Sequence, residues 1–257
     1  MSRSRIPGGI ARPHAVGFTK GAIDGFALSW VDVSTVQIGT GVARDSADAY
    51  NIELTSTQNV AITGGTGINK LDTGTEANSW YAVWVVSGPS GTGGLLSTSA
   101  TSPTLPAGYD VSKRRIGWVY NHSDNDIQGF LQTGTGRDRT LWHNETITDY
   151  TKILDAATSN GVWSGAVDCS SRVPTTAHTM MALAYSVSGS ANAGRIKPTD
   201  FLASVSDTGS TFSATAQSQS KFENFEMPCV TNKSFKYYSD NTSNDLTVLI
   251  QGWKETL

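Results

Sequence analysis

The sequence predicts an all-β protein, with two jelly-roll or β-sandwich-like domains that follow an extended N-terminal arm. Short runs of alternating apolar and polar residues recur along the chain, and clusters of Gly, Pro, Ser, Asn and Asp separate them. Charged residues make up only 16% of the 257 positions, so the chain lacks the Glu and Lys content expected of a helical protein. Short strands separated by such turns are typical of a sandwich or a jelly roll.

Residues 1–25 are predicted to form the arm. Pro7 and Pro13, with two glycines after the first of them, disfavour a regular helix or strand, and the segment has little apolar surface to bury. The arm lacks the apolar run of a signal peptide, so we expect the protein to be made in a cytoplasm. Its arginines are the predicted docking residues, which would contact carboxylates or carbonyl oxygens of a neighbouring protein: Arg3, Arg5 and Arg12.

The first domain is predicted to span residues 26–138. Apolar side chains alternate in its predicted strands, which are residues 26–30, 50–54, 79–86 and 113–121. Residues 80–86 are apolar on both faces, as expected of a strand in the middle of a sandwich or under a contact between subunits. Residues 88–94 are expected to be a loop, because no helix follows their serine as it would in a nucleophile elbow.

A polar, glycine-rich stretch at residues 134–138 marks the predicted boundary, and the second domain spans residues 139–257. A short helical turn is expected at residues 148–157. Strands are predicted at residues 161–168, 179–187, 233–238 and 245–253. Residues 239–244 are expected to join the last two strands as a hairpin loop.

No catalytic residue, cofactor or metal site is predicted. The four histidines do not stand at metal-ligand spacing to one another or to cysteine. Asp124 to Asp126 lack the glycine and the closing glutamate of a calcium loop, so a hairpin turn explains them better, as it does for Asp45 and Asp48. The acidic residues are scattered, and no pair stands out for glycoside cleavage. The histidines are His14, His122, His143 and His178.

The bulk composition excludes several classes of partner. The net charge is −3, and no run of Lys and Arg interleaves with aromatics, so nucleic acid is not an expected ligand. No apolar run is long enough to span a membrane. Only two cysteines are present, Cys169 and Cys229, and we expect two unpaired thiols rather than a bridge.

Two stretches of the first domain carry a resemblance to a known family. Residues 71–74 read Leu-Asp-Thr-Gly and are followed by Trp80-Tyr81; further matches come from residues 95–100, 104–106, 108–109 and 114–117. With these residues the chain resembles a domain of bacteriophage virion proteins called tail fibres or head fibres. The C-terminal half resembles the second domain of that family, which ends in an apolar run followed by Gly-Trp, here residues 248–253.

The resemblance implies a homotrimeric structural protein without catalytic residues. The expected role is a fibre or capsid decoration protein on the virion surface, docked by its arm onto other virion proteins and contributing to host attachment. The alternative is a lectin-like module that binds a host surface glycan. Six aromatics could form a sugar platform, although aromatics on alternating strands more often form the core. They are Trp163, Tyr185, Phe212, Tyr237, Tyr238 and Trp253.

Overall fold

The computed structural model describes residues 19–122, 125–134, 136–143, 152–159, 162–188, 192–199, 212–216, 221–239 and 244–257. The predicted fold class is confirmed: the described residues form twenty strands in a β-sandwich-like, all-β arrangement. None of these residues belongs to a helix that could cross a membrane. The chain divides into two compact units between Arg139 and Thr140, and Leu257 belongs to the first.

The first unit is built from short antiparallel strands. They are β1 (Ile23–Gly25), β2 (Leu28–Asp32), β3 (Thr35–Ile38), β4 (Gly41–Arg44), β5 (Asn51–Leu54), β6 (Gln58–Ala61), β7 (Lys70–Leu71), β8 (Ser79–Gly88), β9 (Gly91–Ser97), β10 (Ser112–Asn121), β11 (Phe130–Thr133) and β12 (Asp138–His143), which enters the second unit. Two three-stranded sheets have the orders β1-β4-β5 and β2-β3-β6. A four-stranded sheet has the order β10-β8-β9-β7, in which only β7 and β9 run parallel.

Strand β8 forms the centre of the first unit. It pairs with β10 on one side and β9 on the other, and every residue from Tyr81 to Gly88 is buried. Both faces are covered within this single chain, since Val83 and Val85 on one face and Trp84 on the other are all nearly inaccessible. The apolar character of both faces therefore requires no second subunit.

The predicted arm is too long at its C-terminal end. Ile23–Gly25 forms β1 and pairs with β4, and Gly21 N donates to the Asp48 carboxylate at 2.8 Å. An arginine from elsewhere in the unit holds the segment as well, because Arg139 Nη2 donates to Gly25 O at 2.6 Å. The segment has few apolar residues to bury, so hydrogen bonds to residues distant in sequence hold it in place.

The predicted loop at residues 88–94 is wrong except at residues 89 and 90, because β8 ends at Gly88 and β9 begins at Gly91. The glycines allow this strand to pass close beneath other side chains. A Cβ on Gly94 would lie 2.4 Å from Val60 Cγ2, and one on Gly93 would lie 2.7 Å from Ile68 Cδ1. A glycine-rich sequence can therefore mark a tightly packed strand as well as a loop.

The second unit contains the rest of β12 and the strands that follow it. They are β13 (Lys152–Ala157), β14 (Val167–Asp168), β15 (Thr179–Ser188), β16 (Asn192–Pro198), β17 (Phe212–Ala216), β18 (Lys221–Pro228), β19 (Ser234–Ser239) and β20 (Asn244–Thr256). One sheet has the order β12-β20-β15-β18, with β13 also pairing with β20. The other sheet has the order β14-β19-β16-β17.

Three predictions for the second unit are wrong. Residues 152–157 are a strand rather than a helical turn, because they pair with β20, with Lys152 opposite Leu249. The predicted strand at 161–168 is described from residue 162 onward, and in that part only Val167–Asp168 is a strand. The two strands that were predicted to pair as a hairpin, β19 and β20, belong to different sheets, and residues 240–243 between them lie outside the described residues. A short polar loop looks the same in sequence whether it joins paired strands or crosses between sheets.

The two cysteines lie in the core of the second unit, and no disulfide joins them. Burial raises the pKa of the Cys169 thiol to about 12, and the charge of Asp168 acts in the same direction. The Cys229 Sγ faces the carbonyl oxygen of Ala177 at 3.8 Å. A thiol with a raised pKa is a poor nucleophile, so Cys169 serves packing.

Candidate interaction surfaces

The residues of the resemblance are joined by hydrogen bonds around Asp72. One carboxylate oxygen of Asp72 accepts from Ser97 Oγ at 2.7 Å and from the Thr104 backbone N at 2.8 Å. The backbone N of Asp72 donates to Leu96 O at 2.8 Å. Asp72 therefore connects β7, the end of β9 and the loop that follows, which are three separate segments of the resemblance.

The remaining resemblance residues also shape the backbone. Gly108 has a φ of +82°, and its carbonyl oxygen accepts from Ser90 N at 2.9 Å in the turn before β9. A side chain there would be strained and would collide with the Ser90 hydroxyl. Residues 114–117 belong to β10, where a β-bulge separates Arg115 from Gly117 opposite β8. The residues that carry the resemblance thus stabilise the turns and strands of the first unit.

Two of the acidic residues considered for calcium, Asp45 and Asp48, lie in a turn, whereas Asp124 lies outside the described residues. Asp45 Oδ1 accepts from Ala49 N at 2.7 Å and from Tyr50 N at 3.0 Å, and Asp48 N donates back to Asp45 O at 3.0 Å. This network is the turn between β4 and β5. Within the described ranges, no three His, Cys, Asp or Glu side chains come together as a metal ion would require.

His143 is a partly buried histidine of the second unit. Its ring lies 5.4 Å from the Trp253 ring, and Nε2 lies 3.4 Å from Arg172 O. Burial lowers the pKa of His143 from 6.5 to about 4, the Arg172 carbonyl opposes the shift, and the Arg172 charge adds to it.

The folded protein is therefore expected to lose stability as the pH falls from 6.5 to 4. In this window the unfolded chain takes up a proton on His143 and the folded chain does not, so acid favours unfolding. The free energy of unfolding should fall by about 2 kcal/mol from this group. Urea unfolding at about pH 7 and about pH 4.5 gives the loss of unfolding free energy for each protein. The contribution of His143 is the loss in the wild type minus the loss in His143→Phe. Equal pH dependence in both would contradict this assignment.

The six aromatics that were considered as a sugar platform, and for which a core role was favoured, lie in different surroundings. Trp253 is a core residue, only 2% exposed, and the Tyr237 hydroxyl donates to Thr158 O at 3.2 Å. Tyr185 lies on β15, and the side chain of Phe212 falls outside the described residues. Trp163 and Tyr238 remain, and their ring centroids are 5.7 Å apart.

Trp163 and Tyr238 lie among cations on the outer face of the sheet that contains β16 and β19. Lys197 Nζ lies 4.0 Å from the Trp163 ring centroid, and Arg195 Cζ lies 5.4 Å from that of Tyr238. Lys236 stands directly opposite Lys197 in the strand register. We call this set the basic–aromatic face: Trp163, Arg195, Lys197, Lys236 and Tyr238.

Large apolar side chains are exposed in the first unit, near β2. Trp30 and Val31 on β2 are 38% and 42% exposed, Val33 follows in the turn, and Leu131 on β11 is 57% exposed. Strand β11 lies beside β2, because Leu28 N donates to Gln132 Oε1 at 2.6 Å. We call Trp30, Val31, Val33 and Leu131 the apolar surface cluster. Exposed apolar side chains on neighbouring strands are candidates for a contact site between proteins.

The predicted docking residues Arg3, Arg5 and Arg12 lie outside the described residues. The sequence did not single out the apolar surface cluster, because alternation alone placed Trp30 in a half-buried strand. Comparison of the chain with known protein families and with curated proteins finds no match in either.

Proposed function

We propose that this chain is a structural protein of a bacteriophage particle, a trimeric fibre or decoration protein without an active site of its own. The observation that carries the proposal is the framework around Asp72. The residues that resemble virion fibre proteins are those whose hydrogen bonds join β7, β9 and the following loop. Their chemistry here is that of a scaffold, which is what a structural component of a particle needs.

Self-association through the apolar surface cluster is the second part of the proposal. The buried faces of β8 are covered within the chain, so they do not argue for a trimer. The exposed apolar side chains near β2 do, because covering them with a second copy removes apolar surface from water at roughly 25 cal/mol per Å². We infer that each copy contacts the next through this cluster.

Light scattering on the purified protein tests the assembly. The wild type is expected to contain three chains, and the double variant Trp30→Ser/Leu131→Ser to dissociate while keeping the same far-UV circular dichroism. The matched control is Trp142→Ser/Val162→Ser, which changes a similarly exposed Trp and aliphatic residue in the second unit. A monomeric wild type at micromolar concentration would refute the trimer.

Docking by the arm is tested with a deletion that leaves β1 in place. Removing residues 2–18 leaves the pairing of Ile23–Gly25 with β4 intact, whereas removing residues 2–25 would take a strand from the sheet. The shorter deletion removes Arg3, Arg5 and Arg12, and it is expected to give a folded trimer that is absent from purified particles. Normal incorporation of this variant would refute the docking role.

The basic–aromatic face supports a second candidate function, that of a lectin-like module that binds a host surface glycan. Two aromatic rings and three cations share one sheet face of the second unit, which is a combination suited to binding a ligand. Such a face fits the attachment role of a particle surface protein. It is compatible with the structural role, because the two surfaces lie on different units.

A further inference from the structure

We propose that the basic–aromatic face of the second unit binds an acidic saccharide, with a carboxylate held between Lys197 and Lys236 and a sugar ring placed against Trp163 and Tyr238. The choice of a saccharide among anionic ligands rests on the proposed function, since a particle surface meets the glycans of its host. The binding site itself is inferred from the charges and ring positions on this face.

The strand register places like charges together. Lys197 on β16 is directly opposite Lys236 on β19, so their Cβ atoms are about 5 Å apart, and like charges in this position destabilise a sheet. Neither lysine has an ion-pair partner among the described residues. An anion between the two ammonium groups would relieve the repulsion and form charge-assisted hydrogen bonds with both.

The two lysines point away from the core of the unit. Lys197 follows Ile196 on β16, and Lys236 follows Phe235 on β19; Ile196 and Phe235 are both fully buried. Because side chains alternate across a strand, the lysines lie on the opposite, outer face. Arg195 and Tyr238, which are also opposite each other in the register, extend the same face along the strands.

Trp163 is held at this face by backbone pairing of its neighbour. Ser164 N donates to Tyr237 O at 2.8 Å, and Tyr237 N donates to Ser164 Oγ at 3.0 Å. The indole therefore stands next to β19 without belonging to a regular strand. Its ring is tilted by 51° against the ring of Tyr238, so the two rings do not form a flat stack.

The ring pair and the cations match the apolar C–H face and the carboxylate of an acidic sugar. The C–H groups of a pyranose ring pack on aromatic surface, and its carboxylate prefers ammonium and guanidinium donors. Asp168 on β14 stands opposite Ser234, which is two residues along β19 from Lys236 on the same face. Both carboxylate oxygens of Asp168 accept from Ser170, so this carboxylate is held within its own turn.

Binding of the full-length protein to an array of hexuronate- and sialate-containing oligosaccharides tests the proposal, with the carboxyl-reduced form of each as its neutral partner. Acidic glycans should bind at least tenfold more tightly than their neutral partners. Lys197→Gln and Lys236→Gln should each weaken binding at least fivefold, and Trp163→Ala should do the same. Lys236→Gln should also raise the melting temperature at low salt, because it removes the repulsion between the two ammonium groups.

The controls are Lys152→Gln and Trp142→Ala, which change the same residue types elsewhere in the second unit and should leave binding unchanged. No retention of any acidic glycan, equal binding of the neutral partners, or equal losses in the controls would overturn the proposal. Tighter binding of oligodeoxythymidylate than of any glycan would also overturn it in favour of nucleic acid. The same variants should still form the trimer in light scattering and enter the particle as the wild type does. A loss of glycan binding is thereby distinguished from a loss of assembly.

Discussion

Replacing Trp84 with Ala is expected to lower the free energy of unfolding by about 3–5 kcal/mol. Trp84 is 2% exposed at the centre of β8, its Nε1 donates to Ser99 O at 3.3 Å, and Lys113 Nζ lies 5.9 Å from its ring centroid. Alanine would leave a cavity on one face of the central strand and would leave Ser99 without its donor. Urea unfolding followed by circular dichroism measures the loss.

Two variants serve as controls for this result. Trp84→Phe keeps most of the buried ring and loses only the indole hydrogen bond, so it should cost clearly less than alanine. Trp142→Ala removes a tryptophan of the second unit that is 38% exposed and lies outside the apolar surface cluster, and it should cost about 1 kcal/mol. If Trp84→Ala were as stable as Trp142→Ala, β8 would not be the core of the first unit.

Replacing Gly252 with Ala is expected to destabilise the second unit by about 3 kcal/mol, at the upper end of the usual cost of overpacking. A Cβ at Gly252 would lie 2.0 Å from the backbone oxygen of Leu141 and 2.7 Å from Met181 Cε. Met181 can move, but Leu141 O belongs to the backbone of β12, so β20 itself would have to shift. The thermal unfolding of the variant measures the effect.

Gly165→Ala is the matched control for this glycine. Gly165 also belongs to the second unit, and a Cβ there would meet no atom within 4 Å. The substitution should change stability by no more than about 0.5 kcal/mol in either direction. Similar melting temperatures for the two alanine variants would mean that β12 and β20 do not approach as closely as described.

The strands were predictable where the pattern of apolar side chains is local. Residues 79–86 and 179–187 are continuous, mostly apolar runs, as expected of strands buried on both faces, and the structure has β8 and β15 there. The same local rule explains the turn at Asp45, since its carboxylate bonds to backbone N–H groups four and five residues later. The fold class followed from these signals alone.

Partners distant in sequence decided what the pattern could not. Residues 152–157 form a strand because β20 offers a pairing edge, and β9 is a strand because glycines let it pass under Val60 and Ile68. The aromatics of the second unit look alike in sequence, yet Trp253 is core and Trp163 lies on the basic–aromatic face. Composition and alternation determined that this chain is a two-part β protein with little charge. Only the tertiary structure could place Lys197 opposite Lys236, because strand register depends on which strands meet and not on either strand alone.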